Sequence, residues 1–399
     1  MKCFFRSFDV GIGDCNVIRL VKEDGSQYSI MVDCGCFTAP VKEYVVNTLH
    51  SHINLLVATH IDSDHIKGLA SMLANFPNLK IDRIWYNCYG RTESNVNTVE
   101  LDDNQKKILQ WVKNALPVEF DAINYRKEIS AKQGKTFAGE ILKKEEWKNV
   151  WETNPITNKT PDFDLPDRFG KIVFLSPTQD SLFAIEKLIK DEFNKRFMQV
   201  WKENLDQTEN LSELLVRLAE AYKDKFESKQ ISAIIIDNID ADFIKKLADD
   251  EGVDPSDKNY SSIAFMLECG NHKVAMFGDA VSSTLEKSIS DKYKMTKKPI
   301  SCEAIKVSHH GSNGNSSKAL FGLITSNKYF IPGGRNDEYP TLGTLGRIAL
   351  SNQDGTKKLI VFSHNGDMSK LINDLDNTVK RQLNIETIIS DKEYELFEW

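Results

Sequence analysis

The sequence contains no run of about 18 apolar residues, the length needed to cross a bilayer, so no membrane span is expected. Its opening residues, Met1-Lys2-Cys3-Phe4-Phe5-Arg6-Ser7-Phe8-Asp9, lack the apolar stretch that marks a secretory leader. Cysteines are few and odd in number: seven, scattered at 3, 15, 34, 36, 88, 269 and 302, with no paired framework. Together these absences point to a reducing cytoplasm. Cys34-Gly35-Cys36 has a one-residue gap that does not match the usual zinc spacing, and reads as small buried thiols. An excess of basic charge is also missing. With 51 Lys and Arg against 58 Asp and Glu, the net charge of -7 argues against binding a phosphate backbone through bulk charge. Local basic grooves remain open at Arg126, Lys127, Lys132 and Lys135, and at Lys292, Lys294, Lys297 and Lys298. A solvated face is the plainer account of both. No repeat of fixed short period is visible.

What is present fits a globular enzyme. The 399 residues can hold one large domain or two with a sizeable core, and 41% hydrophobic and 27% charged residues are ordinary. Residues 1–90 read as strands and turns. Val17–Val21 and Tyr28–Val32 flank a hairpin turn at Asp24-Gly25, and the second strand ends in Asp33-Cys34-Gly35. A helix is expected from Val41 to His52, a buried strand at Ile53–Ala58, a helix from Ile66 to Asn75, and a strand at Ile81–Tyr86. Residues 88–170 look polar and irregular, up to a strand at Lys171–Ser176. The pattern at about 180–228 is helical and densely charged. Further strands are expected at Ile263–Cys269, Val274–Phe277, Ala304–Ser308, Tyr329–Pro332 and Leu359–Phe362. Strands in both halves with helices between them suggest a two-sheet sandwich with outer helices, an α/β fold. The division expected is one domain over 1–399, with 90–258 largely an insertion, helical at about 180–228.

The chemistry gathers at strand ends. Thr59-His60-Ile61-Asp62-Ser63-Asp64-His65-Ile66-Lys67-Gly68 places four ligand-type residues directly after an apolar strand. Two histidines and two carboxylates so close would need many partners if buried, and a divalent cation offsets that cost. One short loop cannot surround an ion. Asp279 after Met276-Phe277-Gly278, and His309-His310 before Gly311-Ser312, are strand-end candidates for the remaining ligands. The plainer roles are a turn cap for Asp279 and a helix cap near Ser316 for Ser312.

His60-x-Asp62-x-Asp64-His65 resembles the His-x-His-x-Asp-His signature of the metallo-β-lactamase superfamily. The order of motifs is similar to that of the ComEC-type hydrolase domain: Phe8-Asp9-Val10-Gly11-Ile12-Gly13-Asp14, Met31-Val32-Asp33-Cys34-Gly35, Thr59 to Gly68, Asn259-Tyr260-Ser261-Ser262, Met276-Phe277-Gly278-Asp279 and His309-His310-Gly311-Ser312. The match covers most of 1–90 and 259–365. The resemblance implies a metallo-β-lactamase αββα sandwich with its metal cleft at one edge of the two sheets. It implies His60 and Asp62 at one metal position, Asp64 and His65 at the other, Asp279 between them, and His309 or His310 as ligand or phosphate contact. Asp33 would brace the ligand loop, and Ser312 and Asn259 would meet substrate. Asp62 stands where the family's second histidine stands, so the donor set is oxygen-rich and suits Mn²⁺ as well as Zn²⁺, as one or two ions. Gly333-Gly334 stand where members often carry a late ligand histidine, and His364 is a late candidate.

The function expected is metal-dependent hydrolysis by a metal-activated water, with Asp64 and His310 catalytic. By resemblance it is a phosphodiesterase or nuclease acting on nucleic acid or a nucleotide. The alternatives are hydrolysis of a small ester, lactone or thioester on the same fold, or a non-catalytic binding protein of a bacterial defence complex that uses helices 180–228 as a partner surface.

Overall fold

Apolar side chains set the strands and also decide which layers they join. Lys2–Ser7 alternates strictly, with Cys3 and Phe5 buried and Lys2, Phe4 and Arg6 half-buried, the pattern of a sheet covered on one face. Leu55–Ala58 is buried at every position because it is covered on both faces. Leu55 and Val57 point into one core, Leu56 and Ala58 into another. The computed structural model describes residues 1–88, 136–183, 239–252, 259–294, 299–334, 338–351 and 355–399.

The fold is mixed α/β, built on two main sheets. The first has six strands in the order Glu393–Glu398, Lys2–Ser7, Asn16–Val21, Gln27–Val32, Leu55–Ala58 and Ile84–Tyr86. Its first three junctions are antiparallel and its last two parallel. The second has eight, in the order Ile385–Ile389, Lys358–Phe362, Lys328–Ile331, Ala304–Lys306, His272–Met276, Ala264–Cys269, Gly170–Ser176 and Phe163–Leu165. Here the first four junctions are parallel and the last three antiparallel.

Three apolar cores hold these sheets. One lies between them, where Phe5 meets Phe330 at 4.3 Å between ring centroids and Trp85 meets Phe174 at 5.0 Å. Each fully buried side chain of this size contributes about 1.5–3 kcal/mol. The second core covers the outer face of the first sheet with Ala39–Asn47, Ser63–Asn75, Phe137–Leu142 and Glu145–Val150. The third covers the outer face of the second sheet with Ala241–Leu247, Ser282–Tyr293, Lys318–Leu323, Leu342–Leu350, Asp367–Asn373 and Asn377–Gln382. Among the described residues no helix is long and apolar enough to cross a membrane.

The structure corrects the sequence reading in three places. The second helix begins at Ser63 rather than Ile66, so Asp64 and His65 sit in its first turn instead of on a loop. The first helix runs only over Ala39–Asn47, after which His50 and Ser51 take positive φ and His52–Ile53 forms a short strand. Residues 136–151 are not irregular, whereas 152–162 are. The former hold two six-residue helices anchored by buried Trp147 and Trp151, whose indole N–H groups donate to Leu79 O and Tyr86 O at 3.1 Å each. Helices this short carry little periodic signal, and tertiary burial holds them. Parts of the expected insertion therefore belong to the cores: Phe163–Leu165, Gly170–Ser176 and Ala241–Leu247. The helices expected at 180–228 lie outside the described residues beyond 183, as do Arg126, Lys127, Lys132 and Lys135.

Candidate metal centre

Parallel strands bring their C-terminal ends to one edge, and the site assembles there. Gln27–Val32 leads into Asp33, Leu55–Ala58 into Thr59 and His60, His272–Met276 into Asp279, and Ala304–Lys306 into His309 and His310. Glycines let these segments close up. A Cβ at Gly13 would lie 2.0 Å from the Asp64 carbonyl oxygen, and one at Gly35 would lie 2.2 Å from the same atom. The Asp14 N–H donates to Asp64 O at 3.1 Å, the Cys34 N–H to His65 O at 2.7 Å, and the Gly35 N–H to Asp14 O at 2.8 Å. These hydrogen bonds lace three sequence motifs into one turn cluster.

Asp33 is fully buried and braces the ligand helix. Its Oδ1 accepts from the Thr59 N–H at 2.7 Å, and its Oδ2 accepts from the Thr59 hydroxyl at 2.7 Å and lies 2.8 Å from His65 Nδ1. A carboxylate behind a histidine's second nitrogen fixes the ring's orientation and tautomer, and leaves Nε2 to face a metal. Asp14 stands in the corresponding place behind His310, its Oδ1 an ion-pair distance of 3.2 Å from Nδ1. Asp279 is held by its backbone, whose N–H donates to Ser262 Oγ at 2.9 Å.

The side chains converge on Asp279 Oδ2. His65 Nε2 lies 3.2 Å from it, and His60, His309 and His310 Nε2 lie 3.8 Å from it. Asp64 Oδ2 is 3.2 Å from His310 Nε2 and 3.9 Å from His65 Nε2. Asp62 Oδ2 is 3.8 Å from His60 Nε2. A tetrahedral ion with bonds of about 2.0–2.1 Å needs ligand atoms about 3.3 Å apart. The four-membered set His65 Nε2, Asp64 Oδ2, His310 Nε2 and Asp279 Oδ2 has four edges of 3.2, 3.9, 3.2 and 3.8 Å. The buried Nε2 atoms of His60, His65 and His310 have no hydrogen-bond partner among the described residues, an expensive state that an ion would relieve. Two buried groups could hold a metal ion: His60, His65 and Asp279, and Asp14, His65 and His310. They share His65, whose Nδ1 is committed to Asp33, so its single free lone pair can serve only one ion at a time. Asp14 Oδ2 is in contact with the Lys306 ammonium, which fits Asp14 as a brace behind His310.

Electrostatics follow from this crowding. Burial lowers the His65 and His310 pKa values, but neighbouring carboxylates outweigh it. Asp279 and Asp64 hold His65 well above its ordinary value, and Asp279, Asp14 and Asp64 push His310 up to about 9. Burial lowers His60, and the charge of His65 adds to that. Burial raises Asp64 and Asp279, yet the surrounding imidazoles hold both well below the carboxylate range.

The remaining expected residues lie as follows. His310 is buried inside the cage, while His309 sits at its rim with its side chain 21% exposed. Asn259 Nδ2 is 3.2 Å from His309 Nδ1, and Asn315 Oδ1 is 3.0 Å from the same nitrogen. Ser312 does not cap the following helix; Ser317 does, and the Ser312 hydroxyl donates to Asn315 Oδ1 at 2.6 Å. Both His309 and His310 adopt positive φ, at 46° and 50°, a strained backbone of the kind stored at functional sites. Gly333-Gly334 pack closely: a Cβ on Gly334 would lie 2.8 Å from His310 Cβ. His364 pairs with Asp9 at 2.8 Å, and His272 with Glu303 at 2.6 Å. Lys292 lies 3.8 Å from Asp162. Sequence reasoning gave no role to Asp14, Lys306 or Asn315. Asp14 was visible as the last residue of the first glycine motif; nothing local marked Lys306. No family model matches the chain, and a comparison with curated proteins finds no match.

Proposed function

We propose that this protein is a metal-dependent hydrolase of the metallo-β-lactamase type. Two facing sheets with helices on both outer faces support that fold. The observation that carries the function is the convergence of His65, Asp64, His310 and Asp279, drawn from both sheets, with facing ligand atoms 3.2–3.9 Å apart. His60, whose Nε2 is 3.8 Å from both Asp62 Oδ2 and Asp279 Oδ2, would with Asp62 hold a second ion. Mixed nitrogen and oxygen donors suit Zn²⁺ or Mn²⁺. A bound ion supplies an activated water at neutral pH and neutralises charge on a reacting oxygen.

The chain's own groups supply position. Asp33 and Asp14 fix the two cage imidazoles. Asp62 and Asp64 keep side-chain exposures of 20% and 30%, so solvent and substrate approach past them. His309, at the rim and held by Asn259 and Asn315, is placed to meet a substrate oxygen. We assign a phosphodiester substrate, nucleic acid or nucleotide, on the resemblance of the ordered motifs to the ComEC-type domain. The test is purified protein with its metal content measured, assayed with Mn²⁺ or Zn²⁺ on DNA, RNA and cyclic nucleotides. Metal-dependent cleavage of one of these is expected. Bound metal with no cleavage of any would transfer the assignment to small-ester hydrolysis, and no bound metal would reject the enzyme reading.

A further inference from the structure

Lys306 is buried at the end of the strand that leads into His309-His310. A buried ammonium is costly unless its donors are satisfied by charge and hydrogen bonds. Lys306 Nζ contacts Asp14 Oδ2, donates to Gly278 O at 2.7 Å and lies 3.6 Å from Asp279 Oδ1. The three partners all bear on the ligand cage. Asp14 presents its other oxygen to His310 Nδ1. Gly278 is the residue before Asp279, and its backbone φ is +52°. Asp279 presents its other oxygen, Oδ2, to four histidines. One side chain therefore touches a ligand carboxylate, the backbone that aims it and the carboxylate behind a second ligand.

We propose that Lys306 is a positioning residue of the metal centre, holding Asp279 with Oδ2 toward the histidines and setting the His310 ring through Asp14. The proposal rests on the metal-centre reading above. An outer contact of this kind typically changes metal affinity 10–100-fold, roughly, when removed. Zn²⁺ and Mn²⁺ binding to the full chain would be measured by calorimetry, and the geometry by the visible absorption of the Co²⁺ form. Lys306→Met is expected to bind about 10–100-fold more weakly and to shift the Co²⁺ spectrum. Because that change strands the Asp14 charge, the double variant Asp14→Asn/Lys306→Met serves as the second probe. It removes both charges, should fold as judged by far-UV circular dichroism, and should still bind about tenfold more weakly than Asp14→Asn alone, equal affinity of the two counting against Lys306. Wild-type affinity together with an unchanged Co²⁺ spectrum in a folded variant overturns the role of Lys306. Wild-type protein that binds none of the three ions overturns the metal centre itself, a different and separable failure.

Discussion

The two sheets deliver candidate ligands to the same point by different means. The first sheet contributes His60, Asp62, Asp64 and His65 from one continuous segment, braced from behind by Asp33. The second contributes Asp279 and His310 from two separate strands, and the brace behind His310 is Asp14, which belongs to the first half of the chain. The first side is rigid by local design: a helix N-terminus, close-packed glycines and a carboxylate with three partners. The second is rigid only once both sheets are docked, and it carries the strained His309-His310 backbone. Ligands on one segment are fixed by local folding, whereas ligands on two segments are fixed by packing between layers.

The largest expected effect comes from the carboxylate on which the histidines of both sheets converge. Asp279→Ala should lower metal-dependent turnover by about 10³-fold or more, and Asp64→Ala should do likewise, as measured by steady-state cleavage with metal added. Full activity in Asp64→Ala would remove the cage from the mechanism. The two braces offer the direct comparison. Asp33→Asn should weaken metal binding by about 100-fold and Asp14→Asn by about 10-fold, read by calorimetry, because Asp33 makes the shorter and more numerous contacts. Equal losses would erase the distinction between the two sides. Packing gives a smaller test. Gly35→Ala forces a Cβ against the Asp64 carbonyl and should cost about 1–3 kcal/mol in denaturant unfolding. Gly11→Ala meets open space and should cost about 1 kcal/mol, from its positive φ alone.

A last test is one of pH. Neighbouring carboxylates push His310 up to about 9, against about 6.5 unfolded. A raised value means that the protonated ring stabilises the fold. That contribution is complete below about pH 6.5 and lost as pH rises through about 9. Asp64 and Asp279 are lowered, so their contributions are present above about pH 4 and lost as pH falls further. Metal must displace the His310 proton, so affinity should rise by up to about tenfold per pH unit toward pH 9. Melting temperatures with and without metal across pH 6–9 would show a widening gap; a constant gap would show that His310 takes no part in binding.

Much of this arrangement is readable in the chain because its physics is local. An apolar run followed at once by His60-Ile61-Asp62-Ser63-Asp64-His65 is a strand feeding costly groups. The small helices 137–142 and 145–150 left no comparable trace, since their stability comes from seating Trp147 and Trp151 on the first sheet. Lys306 left none either. In sequence it is a lysine in an apolar strand, which reads as an edge or a surface position.

The sequence by itself determined the layered α/β pattern and the strand-end placement of the acidic residues and histidines, because side-chain period and desolvation cost act over a few residues. Only the tertiary structure decided that His310 is buried beside Asp64 while His309 stays at the rim, that Asp14 stands behind His310, and that a buried lysine ties that carboxylate to Asp279. Those contacts join residues far apart in the chain, and their energies exist only when two sheets and their connecting turns are packed together.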